Sequence, residues 1–347
     1  MLLSRSFLLR IIFLTALCGF LVTCRGRETS PEKTEEQIVE VQVEPEQKEA
    51  PPPGKENSNA QVSYQTQRSL SSLSRLSGKL PAFGVNVHEI DPVNYENPNL
   101  DILKQAGTEQ YIISYFAGEQ FYRDGNYDKA LAEYTVSINN NANFIEALIS
   151  RGNAWMKKGE HGRAIDDYTR SIRLDSGRAE LYNYRGFARS ERGEINLAIE
   201  DFSRAIALNR NYADALINRS HALYQIGEYD RVIEDCDRIV RLEPSNAVIW
   251  NRRGSAWYRK EDDDKAIRDF SEAIRIRGDY AVAWYNRGNA RYNKGEYDRA
   301  LADLNRALAI NPSFAAAYIS RGNILRRIGN NESAASDFEA ARRLQGR

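Results

Sequence analysis

The sequence is poor in the residues that build reactive or cross-linked sites. Three cysteines occur in 347 residues, at positions 18, 24 and 236, and three histidines, at 88, 161 and 221. Two of the cysteines fall within the first thirty residues, which leaves no disulfide framework and no CxxC metal pattern. His88, His161 and His221 have no cysteine or carboxylate at ligand spacing, and the chain contains neither a phosphate-cradling glycine loop nor a nucleophile elbow. No metal, no cofactor and no enzymatic activity are expected. Net charge is also missing: Lys+Arg and Asp+Glu each total 48. No global field then steers the chain toward nucleic acid, no nucleic-acid partner is expected, and any charge preference must be local. A charged fraction of 28% and a mean hydropathy of -0.60 argue against a membrane-spanning body.

The one long apolar run is at the start. Arg5 and Arg10 precede Ile11 to Val22, a stretch of the length of a secretory h-region, so residues 1–23 are expected to be a signal peptide. The run ends Leu21-Val22-Thr23-Cys24, which resembles a bacterial lipobox, with Thr23 where Gly, Ala or Ser is usual. Three fates fit: lipidation of Cys24 by a chain such as palmitate, simple cleavage, and an uncleaved anchor, the run being short for a full span. Lipidation of Cys24 is the preferred one, and each fate exports the body. Residues 25 to 60 carry nine glutamates against five basic residues, with Pro51-Pro52-Pro53-Gly54. Such a segment cannot bury enough apolar surface to offset its ordering entropy, so 24–60 reads as a disordered tether. Residues 61–110 are poorly defined, with Leu70, Leu73, Leu76 and Leu80 at the spacing of one amphipathic helix.

From Tyr111 the sequence repeats every 34 residues without a gap, in units 111–144, 145–178, 179–212, 213–246, 247–280, 281–314 and 315–347. Glycine stands at 118, 152, 186, 254, 288 and 322, with Ser220 in the fourth unit. Twelve residues after each come Ala130, Ala164, Ala198, Val232, Ala266, Ala300 and Ala334, and four residues after those Tyr134, Tyr168, Phe202, Cys236, Phe270, Leu304 and Phe338. Small residues let two helices approach and the large one fills the hole beside them. A second glycine, at 125, 159, 193, 227, 295 and 329, falls between the two helical patterns, where Glu261 of the fifth unit is expected to make the most strained or the least regular turn. The pattern resembles the tetratricopeptide repeat (TPR) family, including its proline place at Pro244 and Pro312. The resemblance covers 111 to 347 and implies an all-α fold, a right-handed α-solenoid of seven helix pairs.

A further regularity pairs arginine with aspartate sixteen residues later: Arg151 with Asp167, Arg185 with Asp201, Arg219 with Asp235, Arg253 with Asp269, Arg287 with Asp303 and Arg321 with Asp337. The first unit has Ala117 and Glu133 instead, both changes together. The spacing predicts a structural ion pair between the paired helices, because each arginine has its own counter-charge. In the last unit the apolar stripe of the second helix turns polar at Ala335 and Arg342, as a closing repeat requires.

The resemblance also implies that first helices line a concave face that holds extended peptides. Projected there are Tyr115, Glu119, Tyr122, Asn153, Asn183, Tyr184, Phe187, Asn218, His221, Tyr224, Asn251, Arg252, Ser255, Tyr258, Tyr285, Asn286, Asn289, Tyr292, Asn323 and Arg326. Asparagine donates and accepts toward a peptide backbone, and tyrosine offers flat area with a polar tip. The family's two-carboxylate clamp is absent, since Ile149 replaces the lysine before Asn153. The expectation is a non-enzymatic scaffold, lipid-anchored in the envelope of a diderm bacterium, facing the periplasm or the cell surface and recruiting proteins. Envelope assembly, secretion and wall-enzyme regulation are the roles implied. A surface adhesin and a wall-binding module are the alternatives.

Overall fold

The computed structural model describes residues 107–346 together with Leu100 and Lys104. The signal peptide, Cys24, the tether and most of 61–110 lie outside the described residues. Among those described, fourteen α-helices and no strand occur, two helices to each 34-residue unit. They are α1 (Gln110–Arg123), α2 (Tyr127–Asn140), α3 (Ile145–Lys157), α4 (His161–Leu174), α5 (Ala179–Glu191), α6 (Ile195–Leu208) and α7 (Ala213–Gln225). The series continues with α8 (Tyr229–Leu242), α9 (Ala247–Arg259), α10 (Asp263–Ile276), α11 (Ala281–Asn293), α12 (Tyr297–Ile310), α13 (Ala315–Arg327) and α14 (Asn331–Gln345).

The turn inside each pair is set by backbone chemistry. After α3 the chain enters the left-handed region at Gly159 (φ 73°), which lets the Glu160 N–H donate back to the Trp155 carbonyl at 2.9 Å. That bond satisfies a carbonyl the helix end would leave orphaned. Glu261 adopts the same conformation (φ 61°), the only non-glycine among the described residues to do so, and its successor Asp262 makes the same bond to Trp257. The expected strain at that turn is thus a backbone strain. At three of the following helix starts, Asn126, Asp262 and Asn330 accept a backbone N–H with their side chains.

Within a pair, the close approach is where the small residues sit. A Cβ at Gly152 would lie 2.6 Å from the Tyr168 ring, so the ring occupies the space a side chain would need. Tyr134, Tyr168, Phe202 and Phe270 are fully buried in these holes. Each helix packs on its neighbours in sequence from α1 to α14. First helices also meet one another across units, α1 with α3, α5 with α7, α9 with α11 and α11 with α13, and second helices show no comparable approach. The first helices therefore crowd on the inner side of an all-α solenoid. At its last helix the stripe that buries Leu131, Ile199, Ile233 and Leu308 earlier is represented by exposed Ala335 and Arg342.

Candidate functional site

The six arginine-aspartate pairs are bidentate. In the second unit Arg151 Nε donates to Asp167 Oδ2 at 2.9 Å and Nη2 to Oδ1 at 2.7 Å, and the other five repeat that geometry. Each arginine has a third partner that the sequence reading missed. Its Nη1 reaches back to the second helix of the preceding unit, to Thr135, Thr169, Ser203, Asp237, Ser271 or Asn305, at 2.6 to 3.3 Å. The signal was in the sequence: an oxygen-bearing side chain recurs sixteen residues before every one of these arginines. The arginine is therefore a staple between consecutive pairs. Ala117 belongs to the first described pair, which has no earlier pair among the described residues to be stapled to.

The projected inner residues divide by burial. Asn183, Asn251, Ser255, Tyr285, Asn286 and Asn289 are buried, because first helices meet there. Asn218 Nδ2 donates to Asn183 Oδ1 at 3.0 Å, and Asn286 Nδ2 to Asn251 Oδ1 at 3.1 Å, so these amides link the third unit to the fourth and the fifth to the sixth. Between the fourth and fifth units the link is different. Arg252 Nη1 donates to the Ile217 carbonyl and to Ser220 Oγ, both at 3.0 Å. Tyr285, projected onto the inner face, is buried, its ring 4.8 Å from Phe314. Asn153 accepts the Tyr168 hydroxyl at 2.8 Å; burial, and then Glu119, which accepts the Tyr134 hydroxyl at 2.7 Å, raise the Tyr134 pKa well above the phenol range.

What remains toward the inner surface is a row of half-buried tyrosines with polar neighbours. Tyr122, Tyr224, Tyr258 and Tyr292 hold one place in four units, and Tyr184, Asn218, His221 and Asn323 are also half-buried, while Phe187 and Arg326 are exposed. Tyr122, Tyr224 and Tyr292 each rest against a second tyrosine five residues on, at 5.3 to 5.7 Å between ring centres. Such rings are pre-positioned and lose little entropy on binding. Burial, and then the Arg252 charge, lower the His221 pKa to about 4, so its ring is neutral and acts as a polar surface group.

Tetratricopeptide repeat models match residues 117–179, 186–247, 254–295 and 281–314, together more than half of the chain. The chain belongs to the tetratricopeptide repeat family. Solved TPR structures share its fold. A TPR protein from Parabacteroides merdae is 19% identical over 68% of this chain and 93% of its own, with a TM-score of 0.55. The C-terminal part of a TPR repeat-containing protein from Cytophaga hutchinsonii is 13% identical over 66% of this chain and 95% of its own, with a TM-score of 0.57. MamA is 29% identical over 47% of this chain and 96% of its own, with a TM-score of 0.45. No curated protein matches by sequence. In this TPR array the half-buried inner tyrosines offer flat contact area with a polar tip, while the buried amides join neighbouring repeats.

Proposed function

We propose that the chain is a non-enzymatic scaffold that binds proteins or peptides on the inner face of its TPR array. The observation that carries this reading is the row Tyr224, Tyr258 and Tyr292, which recurs every 34 residues on inner helices beside buried amides. Membership of the TPR family supports it. The scaffold is exported and fixed to the bacterial envelope through a lipid on Cys24, and its partners are envelope proteins engaged in assembly, secretion or control of wall enzymes. The motif Leu21-Val22-Thr23-Cys24 supports the anchor.

In-cell cross-linking followed by mass spectrometry compares the native chain with Tyr224→Ala, Tyr258→Ala, Tyr292→Ala combined. Asn218 and Asn286 are left intact because they hold neighbouring repeats together. The triple variant, helical by circular dichroism, is expected to lose the partners of the native chain. Capture of the same partners by both would move binding off the inner face. Palmitate labelling that persists in Cys24→Ser would sink the anchor.

A further inference from the structure

The inner face is not uniform along the array. Each of the first four inner helices has a carboxylate, Glu119 on α1, Glu146 on α3, Glu180 and Glu191 on α5, and Asp214 on α7. The last three, α9, α11 and α13, have eight arginines and no Asp or Glu. Four of the eight are engaged by aspartates: Arg253, Arg287, Arg291 and Arg321. Among the described residues, three of the other four meet neutral groups and the fourth is exposed. Arg252 donates to Ile217 and Ser220, Arg259 Nε to the Tyr229 hydroxyl at 3.0 Å, and Arg326 Nη2 to Asn323 at 3.4 Å, while Arg327 is exposed. Arg252 and Arg259 lie seven residues apart on one helical stripe, and Arg327 takes the place of Arg259 two repeats on. At the second position of the same three helices, Val248, Val282 and Ala316 replace the Glu146, Glu180 and Asp214 of the earlier ones.

We infer that repeats five to seven form a half-site for an acidic, aliphatic, extended segment of a partner protein, its carboxylates on Arg252, Arg259, Arg326 and Arg327. This rests on the scaffold reading and adds the chemistry of the partner. Charge complementarity selects the occupant: cations without carboxylates attract anionic segments, and in the earlier repeats Glu146 and Glu180 already take Arg178 as their partner. The aliphatic rim favours a polypeptide over a nucleic acid, since a sugar-phosphate strand has no side chain to place on Val248 or Val282.

The test is fluorescence anisotropy with the full chain and a labelled, N-acetylated, C-amidated peptide of alternating Glu and Val. About ten residues give an extended reach of roughly 33 Å, and the blocked ends exclude capture of a terminal carboxylate. The native chain is expected to bind it, more weakly as salt rises. Arg252→Gln, Arg259→Gln, Arg326→Gln, Arg327→Gln combined should weaken binding by roughly tenfold or more, and so should the last three alone, which leave the Arg252 link intact. Arg268→Gln with Arg306→Gln removes exposed arginines from the second helices α10 and α12 and should change nothing. Equal binding of a Gln-for-Glu peptide, equal binding by the arginine variants, or tighter binding of oligodeoxythymidine overturns the inference. If the arginine variants capture every cellular partner that the tyrosine variant loses, the scaffold reading stands and the acidic half-site falls.

Discussion

Cys236 faces Ser220 across the fourth helix pair, at the place where the first, second, third, fifth and seventh pairs set an aromatic ring against a glycine. The two departures from the repeat pattern are one event. A ring at 236 would meet the Ser220 side chain as the Tyr168 ring would meet a Cβ at Gly152, and the smaller thiol gives that space back. Ser220 Oγ in turn donates to the Ile217 carbonyl and accepts from Arg252, so it joins the fourth unit to the fifth.

Cys236→Phe alone should therefore destabilise by about 1–3 kcal/mol through overpacking, and Ser220→Gly alone by about 1 kcal/mol through lost hydrogen bonds. Combined, they restore the ring-on-glycine arrangement and should cost at least about 1 kcal/mol less than the sum. Urea unfolding followed by circular dichroism gives the cycle, and additive effects would mean that the residues do not share the space. Burial pushes the Cys236 thiol up to about 12, so it is expected to resist alkylation in the folded chain.

The fold was legible in the sequence because packing writes it there in a fixed period. Gly152, Ala164 and Tyr168 are each dictated by the distance between two helices, and that distance recurs every 34 residues. Arg151 and Asp167 were legible for the same reason. Thr135 was overlooked because its role varies chemically, with Thr, Ser, Asp and Asn all serving as an oxygen. The binding face was less legible. Asn183 and Tyr285 have the residue types of a contact surface, and only the approach of neighbouring first helices shows that they are buried between repeats.

The staple makes a second prediction. Asp235 is nearly inaccessible and holds Arg219 by two bonds, so Asp235→Ala leaves a largely desolvated guanidinium without its counter-charge. A loss of roughly 3 kcal/mol is expected in urea unfolding. Arg219→Met with Asp235→Leu should cost much less, because the pair is removed together. Ser203→Ala removes the link to the preceding pair together with the hydroxyl's bond to the Ile199 carbonyl, and about 1 kcal/mol should go with them. If the single aspartate change costs no more than the double, the pair is not desolvated as described.

Glu261 offers a stabilising change. A left-handed conformation costs an ordinary residue roughly 1–2 kcal/mol, and glycine returns roughly 0.5–1 kcal/mol of that as unfolded-state entropy. Glu261→Gly should raise stability by about 0.5–1 kcal/mol, and thermal melting checks it. Gly159→Ala, at φ 73°, should go the other way.

His221 gives a pH signature with a definite sign. Burial and the nearby Arg252 lower its pKa from the ordinary 6.5 to about 4, so between these values the unfolded chain binds a proton that the folded chain refuses. Stability must then fall as pH drops through that window, and protonation of His221 contributes no change above 6.5, where both states are neutral. The ring is partly exposed, so the step should be on the order of 1–2 kcal/mol, less than the full shift implies. Other groups titrate in the same range, which makes the informative quantity a difference: the native chain minus His221→Asn, followed by urea unfolding at pH 7, 5.5 and 4. The variant should lose the step while keeping the acid response of the carboxylates. A difference that stays flat across the three values would mean that the folded ring takes up its proton normally, with Arg252 too well screened to oppose it.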